Sequence, residues 1–296
     1  MATHHQSNEQ TDIQLDSTPC HPEGTLIVIG GNEAKEGDRP ILELIAKRAA
    51  PGKLVVFTIA SEEPDEQWSR YQKTSKELGV VHIEQFDARR REDMINQARP
   101  DTLDEDTVVF FAGGDQMKIT SRLGGTPLCD RMRQLYTQGA LIAGTSSGAS
   151  VMAEVMMAAG EGESSHQGQE SIRLSPGLGL ISGVIIDQHF AERGRMGRLL
   201  GAVGQNPRLL GIGIDEDTAL VIQGHEQAGV IGSGAVYIVD GRRVTHTDTF
   251  ESPERAISLF GATLHVLSAG DRFNLADRVP SPGRTEDIES QLVEAR

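Results

Sequence analysis

The sequence predicts an α/β fold with a mostly parallel central sheet that is covered by helices on both faces. Short, continuously apolar segments, such as those at 25–29, 53–59 and 107–111, alternate along the chain with segments of helical periodicity. Strands without polar alternation are typical of parallel sheets that are buried on both sides. Apolar runs separated by glycine turns between residues 218 and 240 predict an additional antiparallel part.

Each element is predicted from the local pattern of apolar residues and from the prolines and glycines at its ends. Apolar runs predict strands at 25–29, 53–59, 80–83, 107–111, 140–143, 183–187, 209–216 and 264–267. Amphipathic spacing predicts helices at 38–50, 65–78, 89–99, 127–137 and 194–203, and a helix-forming run predicts another at 149–157. Pro40 suits the first turn of the first helix, and Gly79 ends the second.

Composition divides the chain into one domain and two tails. Residues 1–23 are polar and without period, which predicts a disordered tail. No linker or repeat splits the region 24–278, so we expect a single α/β domain, followed by a polar C-terminal tail at 279–296. Within the domain, the Gly-, Glu- and Ser-rich stretch 160–175 predicts a mobile loop that could act as a flap.

Charge and cysteine usage exclude several classes of protein. A formal net charge of −15 without a basic run argues against sequence-independent nucleic-acid binding. The two cysteines, Cys20 and Cys129, do not form a disulfide framework, and no cysteine or histidine spacing is typical of a metal site, so we expect no metal and no cofactor. Without a signal-peptide core or a membrane-length apolar run, we expect a cytoplasmic protein that does not contact a membrane.

The segment Gly144-Thr145-Ser146-Ser147-Gly148 matches the pattern G-x-S-x-G between a predicted strand and a predicted helix. In that arrangement the central serine stands on a tight strand-to-helix turn with its hydroxyl clear of the backbone. Glycines flank it because a Cβ would clash across the turn. The pattern predicts Ser146 as a nucleophile, with the Ser147 N–H and the positive helix end available to an oxyanion.

A nucleophilic serine needs a base, and the base needs an orienting acid. His189 follows a predicted strand and is the best placed of the nine histidines for the open edge of the sheet. Asp215, Glu216 and Asp217 follow another strand, and the residues alone do not choose among them. The order serine, histidine, acid differs from that of the α/β-hydrolases, which disfavours a generic lipase or esterase.

Further candidates lie at the same predicted edge. Gly113-Gly114 can bring a second backbone N–H beside the strand-to-helix turn at Gly144–Gly148, which we call the elbow. Asp187 could meet a cationic group of a substrate, and arginines downstream of His189 could clamp a carboxylate-rich substrate through bidentate hydrogen bonds. The arginines are Arg193, Arg195 and Arg198.

These segments together resemble a family of serine peptidases that holds the cyanophycinases and aspartyl dipeptidase (peptidase E), and they look most like the cyanophycinases. The resemblance runs from about Gly24 to about Val279. It rests on Gly113-Gly114-Asp115-Gln116, the elbow through Ser150, Asp187-Gln188-His189-Phe190 with the three arginines, and Gly213-Ile214-Asp215-Glu216-Asp217-Thr218-Ala219.

The resemblance implies a flavodoxin-like fold related to class I glutamine amidotransferases, with serine at the elbow in place of cysteine. It implies exopeptidase cleavage of cyanophycin, a poly-aspartate with arginine on each β-carboxyl, to β-Asp-Arg dipeptides, and it fits a homodimer. It assigns Ser146 as nucleophile, His189 as base and Glu216 as orienting acid. Gly114 and Ser147 would form the oxyanion hole. The substrate pocket would be lined by Gln116, Asp187, Gln188, Arg193, Arg195 and Arg198.

Ser147 departs from the family pattern, since cyanophycinases usually carry alanine there. Two other functions remain open on the sequence. One is an aspartyl dipeptidase that acts on short Asp-Xaa peptides, against which the Gln188-His189 pair and the three arginines argue. The other is a catalytically silent module that binds a ligand in the same pocket.

Overall fold

The computed structural model describes residues 24–97, 102–158, 172–224, 226–249 and 257–294. The predicted N-terminal tail lies outside the described residues, as does the stretch 160–171 of the predicted flap. Within the described residues, no helix is both long and apolar enough to cross a lipid bilayer.

A nine-stranded mixed sheet forms the centre of the molecule. Strands β1, β5, β4, β2 and β3 run parallel side by side, and β10, β11, β16 and β17 continue the sheet from β1 in antiparallel pairs. The parallel core and the antiparallel extension confirm the predicted architecture. The strand bounds are Thr25–Ile29 (β1), Lys53–Phe57 (β2), His82–Phe86 (β3), Thr107–Phe111 (β4), Leu141–Thr145 (β5), Thr218–Gln223 (β10), Gln227–Gly232 (β11), Arg272–Asn274 (β16) and Val279–Ser281 (β17).

A second sheet of four strands has the order β15-β12-β9-β8, in which β8 and β9 are parallel and the other pairs antiparallel. Its strands are Val184–Gln188 (β8), Leu210–Ile214 (β9), Val236–Asp240 (β12) and Thr263–Leu267 (β15). Two antiparallel two-stranded sheets complete the strands of the described residues. They pair Val155–Ala158 (β6) with Arg173–Pro176 (β7), and His246–Thr247 (β13) with Leu259–Phe260 (β14).

Helices cover both faces of the large sheet because alternate residues of each buried strand point to opposite sides. Ile27 and Ile29 of β1 pack with Pro40–Ala49 (α1), Pro64–Glu77 (α2) and Thr285–Glu294 (α8). Leu26 and Val28 belong to a second core cluster on the other side, shared with the four-stranded sheet. The helices of that side are Arg91–Gln97 (α3), Gln116–Leu123 (α4) and Pro127–Thr137 (α5), while Ser147–Ser150 (α6) follows β5 and Met196–Gln205 (α7) packs on β9.

The predicted helix at 149–157 is wrong beyond its first turn. α6 ends at Ser150, and β6 begins at Val155. The main chain between them bonds to a neighbouring loop instead, since Leu178 N donates to Val151 O (2.6 Å) and Leu180 N donates to Met152 O (2.8 Å). The pairing of β6 with β7 then takes the remaining backbone groups. Tertiary pairing here overrides a helix-forming composition.

Helices α4 and α8 and strand β17 were also not expected. Asp115 caps the N-terminus of α4, because its carboxylate accepts a hydrogen bond from Met117 N at 2.8 Å. Aspartate is a preferred residue at this position, so the sequence does contain the signal for the start of this helix. The segment predicted as a polar C-terminal tail contains β17 and α8, whose Ile288 is buried. Seven of the ten residues of α8 are polar, so the helix gives little local signal.

Candidate active site

The site lies where the carboxyl ends of four strands from both sheets meet. Ser146 follows β5, His189 follows β8, Glu216 comes shortly after β9, and the segment after β1 passes between them. Carboxyl ends of parallel strands are where α/β folds place their ligands. The structure therefore brings together residues that are 43 and 27 positions apart.

Ser146 adopts the strained backbone expected of a nucleophile on a tight turn, with φ 55° and ψ −117°. A Cβ on Gly144 would lie 2.4 Å from the carbonyl oxygen of Gly148, and a Cβ on Gly148 would lie 2.5 Å from that of Phe111. Both glycines are required because side chains would collide with backbone. The G-x-S-x-G pattern thus forms the predicted turn.

The three predicted catalytic side chains form a hydrogen-bonded chain. Ser146 Oγ lies 2.9 Å from His189 Nε2, and His189 Nδ1 lies 2.6 Å from Glu216 Oε1. Since a carboxylate can only accept, His189 carries its proton on Nδ1 and leaves Nε2 to accept the serine proton. Of the three acids that the local pattern left open, Glu216, which the resemblance assigns as the orienting acid, is the one that contacts the imidazole.

The carboxylate of Glu216 is held in its ionised form. The hydrogen bond from His189 lowers its pKa below the ordinary value of 4.5; burial opposes this, and a second hydrogen bond, from Asn32 Nδ2 to Oε2 at 2.9 Å, lowers the pKa further. Both carboxylate oxygens are therefore engaged, one by the imidazole and the other by an amide.

The neighbouring acids have other partners. Asp215 accepts hydrogen bonds from Ala191 N (2.9 Å) and Ala235 N (3.1 Å). Asp217 accepts hydrogen bonds from Ala34 N and the Ser233 hydroxyl, both at 2.8 Å. These carboxylates fix the loops around the site and do not contact His189.

Two glycine pairs border the catalytic groups. A Cβ on Gly113 would lie 3.4 Å from the Cβ of Ser146 and 3.9 Å from its Oγ, so this backbone runs directly beside the nucleophile. Gly114 has φ +148°, and a Cβ there would lie 2.2 Å from Ala60 O. Gly31, in the pair after β1, has φ +110°, and a Cβ on it would lie 2.3 Å from Cε1 of His189. Only glycine permits the close approaches at Gly114 and Gly31, whereas a Cβ on Gly113 would be in ordinary contact.

The arginines form a cluster around one buried carboxylate. Asp187 is 1% exposed and accepts hydrogen bonds from Arg195 Nη1 (3.2 Å), from Arg198 Nε (2.7 Å) and also from Arg198 Nη2. Burial lowers the pKa of Arg195 to about 10, an effect that the charge of Asp187 opposes. Arg193 is exposed, and no acidic side chain of the described residues forms an ion pair with it. Asp187 is thus already paired with two guanidinium groups. A cationic group of a substrate, which the sequence led us to expect at Asp187, would have to compete with them.

The remaining predicted residues lie around this cluster and the elbow. Gln188 is buried, and its Oε1 accepts a hydrogen bond from Arg195 Nη1 at 3.0 Å. Gln116 is buried at the start of α4 and donates to the carbonyl of Met157 at 3.1 Å, which ties it to β6. Ser147 is buried, and its hydroxyl has no hydrogen-bond partner among the described residues.

Comparison with known proteins matches the sequence to one family. The family model of peptidase family S51 matches residues 26–230. The chain belongs to peptidase family S51. This family assignment makes it a serine-type peptidase.

Curated relatives share most of the length of this S51 peptidase. It is 39% identical over 269 residues to "Cyanophycinase" of Nostoc sp., with 90% of each chain covered. It is 38% identical over 267 residues to "Cyanophycinase" of Geminocystis herdmanii, with 88% of this chain and 97% of the relative covered. The crystal structure of a peptidase from an acI-B1 Actinobacterium matches with a TM-score of 0.65 and 23% identity over 86% of this chain and 98% of its own, which shows the flavodoxin-like fold.

Sequence reasoning missed two residues of this S51 peptidase that contact the site. Asn32 donates to Glu216, and Glu33 is buried against Thr145, the residue before the nucleophile. A polar pair directly after a buried strand, Gly30-Gly31-Asn32-Glu33, was the available signal. The described residues contain no group of three or more histidine, cysteine or acidic side chains placed to bind a metal ion.

Proposed function

We propose that this S51 peptidase is a cyanophycinase, an exopeptidase that hydrolyses cyanophycin to β-Asp-Arg dipeptides. The observation that carries the proposal is the Ser146–His189–Glu216 hydrogen-bonded chain beside an arginine cluster. The curated relatives named cyanophycinase, at 38–39% identity over about nine-tenths of the chain, support the choice of substrate.

The reaction follows from the roles of the three side chains. His189 Nε2 removes the proton of Ser146 as its Oγ attacks the scissile carbonyl, and Glu216 stabilises the imidazolium that forms. The imidazolium then protonates the leaving amine, which leaves an acyl-enzyme on Ser146. A water molecule, deprotonated by the same imidazole, attacks the ester, and collapse of the second tetrahedral intermediate releases the carboxylate product and restores the hydroxyl.

The oxyanion would be stabilised by backbone N–H groups of Gly114 and Ser147. The path of the Gly113–Gly114 backbone beside Ser146 supports the first, and the position of Ser147 directly after the nucleophile supports the second. Preorganised donors of this kind stabilise the charge that develops on the carbonyl oxygen in the transition state.

The charges around the pocket fit an aspartate-rich polymer. We assign Arg193 to bind a substrate carboxylate, because it is exposed beside the triad and has no ion-pair partner among the described acids. Arg195 and Arg198 share the charge of Asp187, and with Gln188 and Gln116 they would form the wall of the pocket. Two guanidinium groups pair with the single charge of Asp187 and Arg193 lies outside that pairing, which leaves positive charge for the substrate's carboxylates.

The decisive experiment is incubation of the protein with insoluble cyanophycin and identification of the products by mass spectrometry. We expect β-Asp-Arg from the wild type and none from Ser146→Ala, together with covalent labelling of Ser146 by a serine-directed phosphonate. Hydrolysis of Asp-Xaa dipeptides without release from the polymer would instead indicate an aspartyl dipeptidase. Absence of both hydrolysis and labelling would indicate a binding module.

We also propose a cytoplasmic homodimer. Low cysteine content and a buried free thiol at Cys129 fit a reducing compartment. Strand β15 is the outer strand of the four-stranded sheet and exposes Leu264 and Val266, each at least half exposed, which supplies an apolar edge for a second copy. Light scattering after size-exclusion chromatography would test the dimer, with Val266→Lys expected to favour the monomer.

A further inference from the structure

The end of β1 and the segment that follows it contact all three residues of the triad, although none of their side chains belongs to it. Its backbone is unusual, with φ +110° at Gly31 and φ +48° at Asn32. Consecutive carbonyl oxygens accept hydrogen bonds from the main chain of the triad or next to it: Ile29 from Ser146 N (3.0 Å), Gly30 from His189 N (2.7 Å) and Gly31 from Asp217 N (2.8 Å).

Asn32 completes the coordination of Glu216. Its Nδ2 donates to Oε2 at 2.9 Å while His189 occupies Oε1, so the carboxylate cannot rotate without breaking one of the two bonds. The assignment of the amide nitrogen is fixed by chemistry, because an ionised carboxylate cannot donate to an amide oxygen. The other charged groups at Glu216 are Arg193 and the carboxylate of Glu192, which accepts a hydrogen bond from the Glu216 N–H.

Glu33 fixes the strand that carries the nucleophile. Its side chain is 1% exposed. Oε2 accepts a hydrogen bond from the Thr145 hydroxyl at 2.6 Å, while Oε1 accepts one from the Tyr71 hydroxyl at 2.6 Å and pairs with Lys35 Nζ at 3.2 Å. A buried carboxylate with three donors is a rigid anchor, since losing any donor leaves charge unsatisfied.

We propose that Asn32 and Glu33 are positioning residues that hold the acid and the nucleophile of the triad in register: Asn32 sets the orientation of the Glu216 carboxylate, and Glu33 sets the main chain at Thr145–Ser146. Adjacent residues on one short segment thus act on opposite ends of a Ser–His–Glu chain whose members lie on two different sheets. The inference rests on the proposed function only for the identity of the polymer substrate.

The test at Asn32 uses two replacements that tolerate its left-handed backbone. Asn32→Gly removes the amide, and we expect kcat to fall about tenfold with KM within about twofold of wild type, because the carboxylate loses its fixed orientation. Asn32→Asp replaces the donor by a negative charge beside Glu216, which favours the imidazolium of His189. The acid limb of the kcat/KM profile should then move up by about half to one pH unit, a shift that loss of fold alone would not produce.

The test at Glu33 compares its two hydroxyl donors, which lie at equal distances from opposite oxygens. Thr145→Val removes the donor next to the nucleophile, whereas Tyr71→Phe removes the donor on α2, remote from it. We expect similar losses of melting temperature in both variants but a several-fold larger loss of kcat in Thr145→Val. Equal losses of kcat would show that Glu33 supports only the fold.

Labelling of Ser146 by a serine-directed phosphonate, measured from pH 5 to pH 9, separates this inference from the proposed function. If the wild type is labelled but does not hydrolyse cyanophycin, slower labelling of Asn32→Gly and Thr145→Val still supports the positioning roles. If the wild type hydrolyses cyanophycin and all Asn32 variants match its labelling rate, kcat and pH profile, the positioning role of Asn32 is wrong while the function stands.

Discussion

Gly31 allows the His189 ring to occupy its position, because glycine has no side chain. Its Cα lies so close to the His189 ring that an added Cβ would be 2.3 Å from Cε1 and 2.6 Å from Nε2. The ring is the movable partner in that collision. A larger residue would therefore displace the imidazole from its place between Ser146 and Glu216 and leave the core intact.

For Gly31→Ala we expect kcat/KM to fall about 100-fold, since displacement of the base by about 1 Å is enough for such a loss. Gly37→Ala is the matched control. Gly37 lies in the same loop with φ +70°, but nothing lies within 4 Å of its hypothetical Cβ, so it reports backbone strain alone. Comparable activity losses in both variants would show that strain, not collision with the ring, is responsible.

Ser147 differs from Gly31, because it has a side chain to which the structure assigns no role. Its buried hydroxyl has no hydrogen-bond partner among the described residues, and only its N–H enters the proposed mechanism. We expect Ser147→Ala to keep activity within about twofold and to raise the melting temperature by up to about 4 °C, because burying an unsatisfied hydroxyl is costly. Differential scanning calorimetry and the cyanophycin assay would check both values, and loss of phosphonate labelling would instead assign the hydroxyl a part in catalysis.

At the scale of elements, β8 and α7 together build the arginine cluster. β8 ends in Asp187 and Gln188, the turn into α7 carries Arg193 and Arg195, and the first turn of α7 carries Arg198. Two of them form ion pairs with Asp187, so its buried carboxylate has its charge paired. The third, Arg193, lies outside that network, so the arginines serve different purposes.

This division predicts different losses for two similar substitutions. Arg193→Ala should raise KM for cyanophycin about tenfold or more with an unchanged melting temperature, because it removes a charge-assisted contact with the substrate. Arg198→Ala should lower the melting temperature by several degrees, because it leaves the buried Asp187 with one guanidinium group. Steady-state kinetics and thermal unfolding of both variants would test this, and a stability loss in Arg193→Ala would contradict it.

At the scale of the whole molecule, two buried tyrosines make the stability of the fold depend on pH. Burial raises the pKa of Tyr71 well above the ordinary value of 10.0, and the negative charge of Glu33 adds to the shift. Burial also raises the pKa of Tyr136. A group whose folded pKa is raised contributes its full stabilisation below the unfolded pKa, and this is lost as the pH rises from there through the folded pKa.

We therefore expect the free energy of unfolding to decrease above about pH 10, by about 1.4 kcal/mol per pH unit for each of the two tyrosines. Urea unfolding at pH 8, 10 and 11 measures this dependence. Tyr71→Phe should make the slope shallower by about 1.4 kcal/mol per pH unit, since its ionisable group is gone. An alkaline slope that is the same in the variant would place the titration elsewhere in the molecule.

Much of this architecture could be predicted from local pattern. Continuous apolar runs such as β1 and β4 are buried on both faces, and no other environment suits them, so strands and layer order followed from composition and periodicity. The elbow at Ser146 could be predicted for a similar reason: the glycines at 144 and 148 are required by the local turn. The position of His189 near Ser146 could be predicted because His189 directly follows a recognisable strand.

The tertiary structure alone decided what depends on distant partners. It paired Asp187 with arginines, replaced the predicted helix at 151–157 by a loop and by strand β6, and placed Asn32 and Glu33 beside the Ser146–His189–Glu216 chain. The physical reason is that a carboxylate's partner is fixed by loop geometry and by the meeting of two sheets, which leave no period in the sequence. Periodicity determines which residues are buried, and packing determines which polar groups then face each other.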